Sequence, residues 1–174
     1  MQIRLTRPAD AALLATYHNH NATHFGPWEP DREYDYYSER QLRKRLRQLD
    51  KDHRRGSAAI FIALNDREDE ILAHCSLTNI LYGPMRACYM GYGVSKDYEG
   101  QGIMFRLCQE VIDYAFNQLH LNRIMANYMP GNRRSAALLE RLGFKVEGTA
   151  MRYLKINGKW EDHVLSSLLN PKIL

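Results

Sequence analysis

Apolar residues along this chain change their spacing at several places, and each change marks the border of a predicted element. An alternating run at 3–6 predicts a short first strand. Helical spacing takes over near Ala9 and predicts a helix that ends before His24. After a loop rich in proline and aromatic residues, a charged stretch from about Tyr36 to His53 carries Leu42, Leu46 and Leu49 on one helical face. The period then shortens. Runs at 57–64, 70–80 and 86–94, broken by Asn65-Asp66 and Tyr82-Gly83-Pro84, predict strands in an antiparallel meander.

The remainder mixes helix and strand. A glycine-bearing turn near 94–102 opens onto an amphipathic helix, and 121–128 reads as a buried strand. Asn132 to Gly143 reads as a short helix: Asn132 is a natural N-cap, Leu138, Leu139 and Leu142 form its apolar stripe, and Gly143 is its stop. A hairpin with Asn157-Gly158 as its turn closes the chain. No repeat, linker or low-complexity tract intervenes, so one domain over 1–174 is expected.

Composition narrows the class. A chain of 174 residues with 45% hydrophobic content can bury a substantial core. No apolar stretch reaches the roughly eighteen residues that cross a bilayer, and the N-terminus lacks a signal-peptide core, so a soluble, cytoplasmic protein with no membrane partner is expected. Cys75, Cys88 and Cys108 are odd in number and lack C-x-x-C spacing, which favours reduced core thiols over a disulfide framework or a zinc site. His20 and His24 have metal-pair spacing without a third ligand nearby, so no metal is expected. The net charge is only +4, yet Arg40, Arg43, Lys44, Arg45, Arg47, Lys51, Arg54 and Arg55 cluster in one predicted helix, either as a solvated face or as a contact for RNA.

The turn Val94-Ser95-Lys96-Asp97-Tyr98-Glu99-Gly100-Gln101-Gly102-Ile103-Met104 is an anion cradle by its chemistry. Backbone N–H groups at a helix N-terminus are unpaired and sit at the positive end of the macrodipole, so they hold phosphate without a cationic side chain. Gly100 and Gly102 allow close backbone approach. Within the preceding strand, Gly91 and Gly93 suit a bulge or a close backbone approach.

Together, the glycine turn and the helix Asn132-Arg133-Arg134-Ser135…Gly143-Phe144 resemble the two motifs of the GNAT superfamily of acetyl-CoA-dependent acyltransferases. Gly26-Pro27-Trp28-Glu29-Pro30, Ala87 to Tyr92, Arg123 to Pro130 and Asn157 to Leu165 narrow the resemblance to the RimJ-type ribosomal-protein N-acetyltransferases. Two positions depart from the superfamily pattern: Glu99 stands where Gln or Arg is usual, and Met104 where a small residue is usual. A carboxylate facing phosphate is repelled, so Glu99 is expected to point away from the ligand.

The resemblance implies an α/β (α+β) GNAT fold, a mostly antiparallel twisted sheet of about seven strands flanked by helices and splayed at a bulge in the cofactor-binding strand. It implies acetyl-CoA as co-substrate, held by Tyr92, Gly93, Val94, Glu99, Gly100, Gln101, Gly102, Ile103, Met104, Asn132 and Ser135. The acceptor it implies is a protein N-terminus, the N-terminal alanine of the fifth small-subunit ribosomal protein, acetylated by direct attack without a covalent enzyme intermediate.

Such chemistry needs a neutral amine, an oxyanion donor and a proton for the departing thiolate. Ser135 shares a helix face with Asn132 and is a candidate acid. Many relatives place a tyrosine acid where this chain has Leu139, which throws the task on Ser135 or on a tyrosine from elsewhere such as Tyr153. Asn127 occupies a position where one relative carries a glutamate, and an amide cannot take a proton. An α-amine with a pKa near 8 costs only about 1 kcal/mol to neutralise at pH 7, against about 4 to 5 kcal/mol for lysine, so weak basicity favours N-terminal amines. Glu29 is the first candidate to anchor or deprotonate that amine, with Trp28, Tyr36 and Tyr153 as further acceptor-site candidates. His74 and His163 are placed in strands, either lining that site or in core or surface positions. Two rival readings remain open: an acetyltransferase for small amines such as polyamines or antibiotics, and a non-catalytic ribosome- or RNA-binding factor.

Overall fold

The computed structural model describes residues 1–173. Its centre is a seven-stranded sheet in the order β1-β2-β3-β4-β5-β7-β6. The strands are β1 (Gln2–Leu5), β2 (Ala59–Leu64), β3 (Ile71–Leu81), β4 (Ala87–Val94), β5 (Arg123–Met125), β6 (Lys145–Ile156) and β7 (Lys159–Leu169). All neighbours run antiparallel except β4 and β5. The helices are α1 (Ala11–His20), α2 (Ala22–Phe25), α3 (Glu39–Arg54), α4 (Ile103–Asp113) and α5 (Arg133–Arg141).

Strand alternation sorts side chains onto two faces. Phe61, Cys75, Leu77, Cys88 and Met90 meet Leu107, Cys108 and Val111 of α4 on one face. Ile62, Leu64 and Ile71 meet Leu14, Tyr17, Leu42 and Leu46 of α1 and α3 on the other. All three cysteines are free and buried.

The expected meander, the glycine turn, the capped helix after Asn132 and the final hairpin all form. Asn157 and Gly158 take φ 52° and 77°, the left-handed pair that a two-residue hairpin turn demands. Several borders differ. The first helix breaks at Asn21, because its fully buried amide is pulled sideways: Nδ2 donates to Tyr17 O (2.9 Å), while Oδ1 accepts from Ser95 Oγ (3.2 Å) and Lys96 N (2.9 Å). The charged helix starts at Glu39 rather than near Tyr36, since Ser38 caps it by accepting from Gln41 N.

The strand expected at 121–128 shrinks to Arg123–Met125, and this shapes the site. β5 pairs with β4 only from Ala87 to Tyr89, so among the described residues β4 runs on through Val94 with no strand partner on that side. Downstream, Tyr128 bridges to Val164 of β7 instead. The sheet therefore opens between β4 and β5. The bulge expected at Gly91 and Gly93 lies elsewhere: β4 holds register with β3 from Tyr89 to Val94, and the irregularity sits in β3 between Thr78 and Leu81, where Asn79 has φ 48°. Gly93 serves a close approach, since a Cβ there would stand 2.8 Å from the His74 ring and 3.2 Å from Phe25.

Candidate active site

The opening between β4 and β5 continues into a cleft of about 870 Å³ that runs from the glycine turn to the loop after α2. At one end, Gly100 (φ 73°) and Gly102 (φ 76°) take left-handed backbone, and Gly102 caps α4. Among the described residues, no backbone N–H from Gly100 to Phe105 donates to a protein acceptor. A row of free N–H groups at the positive end of an eleven-residue helix fits a pyrophosphate. Glu99 turns its carboxylate to Arg134, with His24 Nε2 3.3 Å away. Its charge is thus neutralised at the rim. His20 binds Asp97 of the same turn (2.6 Å), so each of the two spaced histidines faces a carboxylate.

In the middle of the cleft, Asn132 Oδ1 accepts from Ser135 N (3.1 Å), capping α5, and among the described residues its amide Nδ2 has no hydrogen-bond partner. Ser135 Oγ lies 2.5 Å from the Tyr92 hydroxyl of β4. This pair holds two hydroxyl protons and spends one on the shared bond, so one O–H remains for a ligand. Leu139, where the resemblance implies a tyrosine acid, is 2% exposed in the core and does not line the cleft.

The far end is walled by Phe25, Trp28, Glu29, Tyr37, His18 and His74 on one side, with Asn127 and His163 also lining the cleft. Tyr37 donates to Glu29 Oε2 (3.2 Å) and stacks on His18 with ring centroids 4.0 Å apart. Burial raises the Glu29 carboxyl above its ordinary range, although the Tyr37 hydrogen bond opposes this. Burial pushes the Tyr37 hydroxyl up to about 12 and pulls the imidazoles down, His18 to about 3 and His74 to about 4. Both rings are neutral at pH 7. The Tyr17 hydroxyl donates to Gly93 O (2.8 Å), so toward His74 Nδ1 (3.0 Å) its oxygen accepts, which puts the His74 proton on Nδ1.

Most of the residues expected at the site come together here: Glu29, Trp28, Tyr92, Gly93, Val94, Glu99, Gly100, Gly102, Ile103, Met104, Asn127, Asn132 and Ser135 line one cleft. Three side chains do not. Gln101 turns its side chain outward, donating to Asp97 O (3.3 Å), while its backbone N–H stays in the free row of the turn. Tyr36 is held between the guanidinium groups of Arg32 and Arg45, 4.8 and 3.6 Å from its ring. Tyr153 stands behind Asn127, whose Nδ2 donates to the Tyr153 hydroxyl (3.1 Å) while Oδ1 accepts from Ser166 N (3.3 Å). His18 and the Tyr92 hydroxyl went unread as chemistry. Only folding brings them to their partners.

The family model for the acetyltransferase (GNAT) domain matches residues 1–145. The chain belongs to the GNAT acetyltransferase family. It is 40% identical over 169 residues to the ribosomal protein uS5-alanine N-acetyltransferase of Escherichia coli K12, covering 97% of this chain and 87% of that protein. The crystal structure of ribosomal-protein-S5-alanine acetyltransferase from Vibrio fischeri superposes with a TM-score of 0.95 at 40% identity, over 98% of this chain and 93% of that one. RimJ of Mycobacterium smegmatis, solved with CoA-disulfide, superposes at 0.90 with 28% identity, over 98% and 82% of the two chains. This GNAT protein is an N-acetyltransferase that uses acetyl-CoA, and its glycine turn and splayed sheet have the donors and the opening such a co-substrate needs.

Proposed function

We propose that this chain acetylates the α-amine of a protein N-terminus, in particular the N-terminal alanine of the small-subunit ribosomal protein on which its relatives are named as acting. The observation that carries this reading is the charge count at the acceptor end. Among the described residues, Glu29 is the one carboxylate there, set among an indole, a phenol, two neutral imidazoles and the Arg32 guanidinium, while Glu99 is already paired at the other end. One half-buried carboxylate can face one ammonium, and with Arg32 beside it no negative charge is left over for a second. A polyamine brings several charges and would leave the rest desolvated without partners. Such a protein acts where ribosomes are, in the cytoplasm.

The reaction is direct attack. Acetyl-CoA supplies an activated thioester whose carbon–sulfur bond breaks as the amine nitrogen bonds to the carbonyl carbon. Glu29 anchors the incoming amine and accepts the proton it sheds, a role helped by a carboxyl held above its ordinary range. Asn127, locked by Tyr153 and Ser166, orients the amine or its peptide and takes no proton. Ser135 directs its hydroxyl at the departing thiolate, with Tyr92 behind it as the proton reserve.

Intact-mass detection of acetyl transfer to two matched peptides tests the reading. One has a free N-terminal alanine; the other is blocked there and carries an internal lysine. Transfer to the first alone is expected. Transfer to neither, with spermidine acetylated instead, would replace the acceptor with a small amine, and no transfer to any amine would overturn the catalytic assignment.

A further inference from the structure

The charge of this protein is concentrated in one helix. Residues 39–55 contain eight Lys or Arg against three Asp or Glu, a net of +5, whereas the whole chain carries +4. Everything outside this segment is therefore close to neutral. At about 100° per residue, Arg40, Lys44, Arg47, Lys51 and Arg55 fall within about 80° of one another, on a line about 22 Å long. All five are exposed. The opposite face carries Leu42 and Leu46, both buried in the core.

Nothing in the fold calls for this ladder. Its successive members are three or four residues apart, so like charges stand beside each other and weaken the helix. The stabilising pairs run beside it: Arg43 binds Glu39, and Arg54 binds Asp50, both at i,i+4. Arg45 lies off the ladder and turns to Tyr36, donating to its carbonyl (2.5 Å). Among the described residues, Lys44, Arg47, Lys51 and Arg55 have no carboxylate partner, and Arg40 only approaches Asp35 at 3.9 Å. Four adjacent unneutralised cations fit a partner that brings its own regular row of charge.

The geometry points to RNA: we propose that the solvent face of α3 binds an RNA phosphate backbone and so holds the enzyme beside the protein N-terminus that it acetylates. The proposal rests on the ribosomal-protein reading for the identity of the polyanion. A phosphodiester strand presents one charge per nucleotide at short, even intervals, as the ladder does. A lipid surface fits poorly, since a helix lying on a membrane must bury an apolar face and the leucines of α3 are already committed to the core. Position also suits. Ser38 caps α3, and Tyr37, the residue before it, lines the acceptor end of the cleft. The ladder begins within one turn of that mouth.

The test uses the full chain, a fluorescent RNA hairpin and the variant Lys44→Glu/Arg47→Glu/Lys51→Glu, whose substitutions are all at exposed positions. Wild-type binding should fall with salt at a log–log slope of about −3 to −4, one phosphate for each ladder cation. The variant should bind at least about tenfold more weakly with a shallower slope, while turnover of the free alanine peptide stays unchanged. The neutral Lys44→Gln/Arg47→Gln/Lys51→Gln variant should lie between. Absence of binding at low salt, or equal binding by all forms, would overturn the proposal. So would displacement of the RNA by polyglutamate at equal charge, which would make the partner an acidic protein. Peptide turnover is measured separately, so loss of the acetyltransferase reading and loss of the RNA reading give different results.

Discussion

Acidification should unfold this protein from its acceptor site, well above the pH at which surface carboxylates titrate. His74 is pulled from 6.5 to about 4 by burial, which removes water from any charge placed on the ring. The unfolded chain therefore binds a proton near pH 6.5 that the folded chain refuses until about pH 4. Stability from this residue is complete above pH 6.5 and is lost as the pH falls through that window. The gap is worth about 3 kcal/mol, a large part of the roughly 5 to 15 kcal/mol that holds a domain folded. His18, pulled to about 3 by burial and by the neighbouring His74 and Arg45, acts in the same direction. Glu29 acts against both. Its carboxyl is raised, so its contribution is fully present below its unfolded value of 4.5 and is lost as the pH rises through the folded value.

These opposite signs make the test specific. Urea unfolding followed by circular dichroism, repeated from pH 7.5 to 4.5, should show wild-type stability falling as the pH drops below about 6.5. His74→Gln removes a titrating group, so its loss over the same range should be smaller by about 2 to 3 kcal/mol. Glu29→Gln removes the opposing group and should make the acid loss steeper, while gaining stability at pH 7.5 where the buried carboxylate is charged. Parallel curves for wild type and His74→Gln would refute the reasoning, because the ring would then not be refusing its proton in the folded state.

Three further outcomes follow from the site. Tyr92→Phe and Ser135→Ala should each lower kcat about 100-fold or more with little change in acetyl-CoA affinity, and the double variant should be no slower than the worse single one; independent, multiplying losses would separate the two hydroxyls. Gly102→Ala must place a Cβ at φ 76°, so it should cost about 1 to 2 kcal/mol in thermal or urea unfolding and weaken CoA in a calorimetric titration; unchanged binding would remove the turn from the phosphate site. Leu139→Tyr restores the side chain that many relatives carry, yet it enters a position 2% exposed, so it should destabilise by about 1 to 3 kcal/mol in urea melts and fail to rescue Ser135→Ala. Rescue would show that the core can open there.

What could be read from the chain was local in origin. The cap at Asn132, the left-handed stop at Gly143, the turn at Asn157-Gly158 and the glycine turn before α4 each depend on a few adjacent residues. The partners of the reactive groups do not. Tyr17 and His74 are 57 positions apart, and Tyr92 and Ser135 are 43 apart, so neither pair leaves a mark on local spacing. The misplaced bulge has the same root. Glycines in β4 signal that something comes close to the backbone without saying what, and here it is the His74 ring crossing from β3. The side chains of Gln101 and Tyr36 point elsewhere, because a turn sends successive side chains in different directions and the Tyr36 ring lies against the guanidinium groups of Arg32 and Arg45.

Tyr153 shows how an irregularity that no pattern announces can position a side chain. After an earlier shift between Val146 and Gly148, β6 and β7 hold register from Gly148 to Ala150, opposite Leu165 to His163, and resume at Leu154 and Glu161, so three residues of β6 oppose only Asp162. Arg152 absorbs the excess in left-handed backbone (φ 49°) and donates its N–H to Asp162 Oδ1 (2.8 Å). A regular strand sends alternate side chains to opposite faces, and an insertion of this kind resets that alternation. The reset leaves Tyr153 beside His163, ring centroids 5.3 Å apart, with its hydroxyl on Asn127. Asn127 is thus held from both sides, by a phenol on β6 and by the Ser166 N–H on β7. An amide fixed in this way cannot rotate to suit the amine. It also takes no proton, so in the proposed reaction that role falls to Glu29, the carboxylate that lines the same cleft.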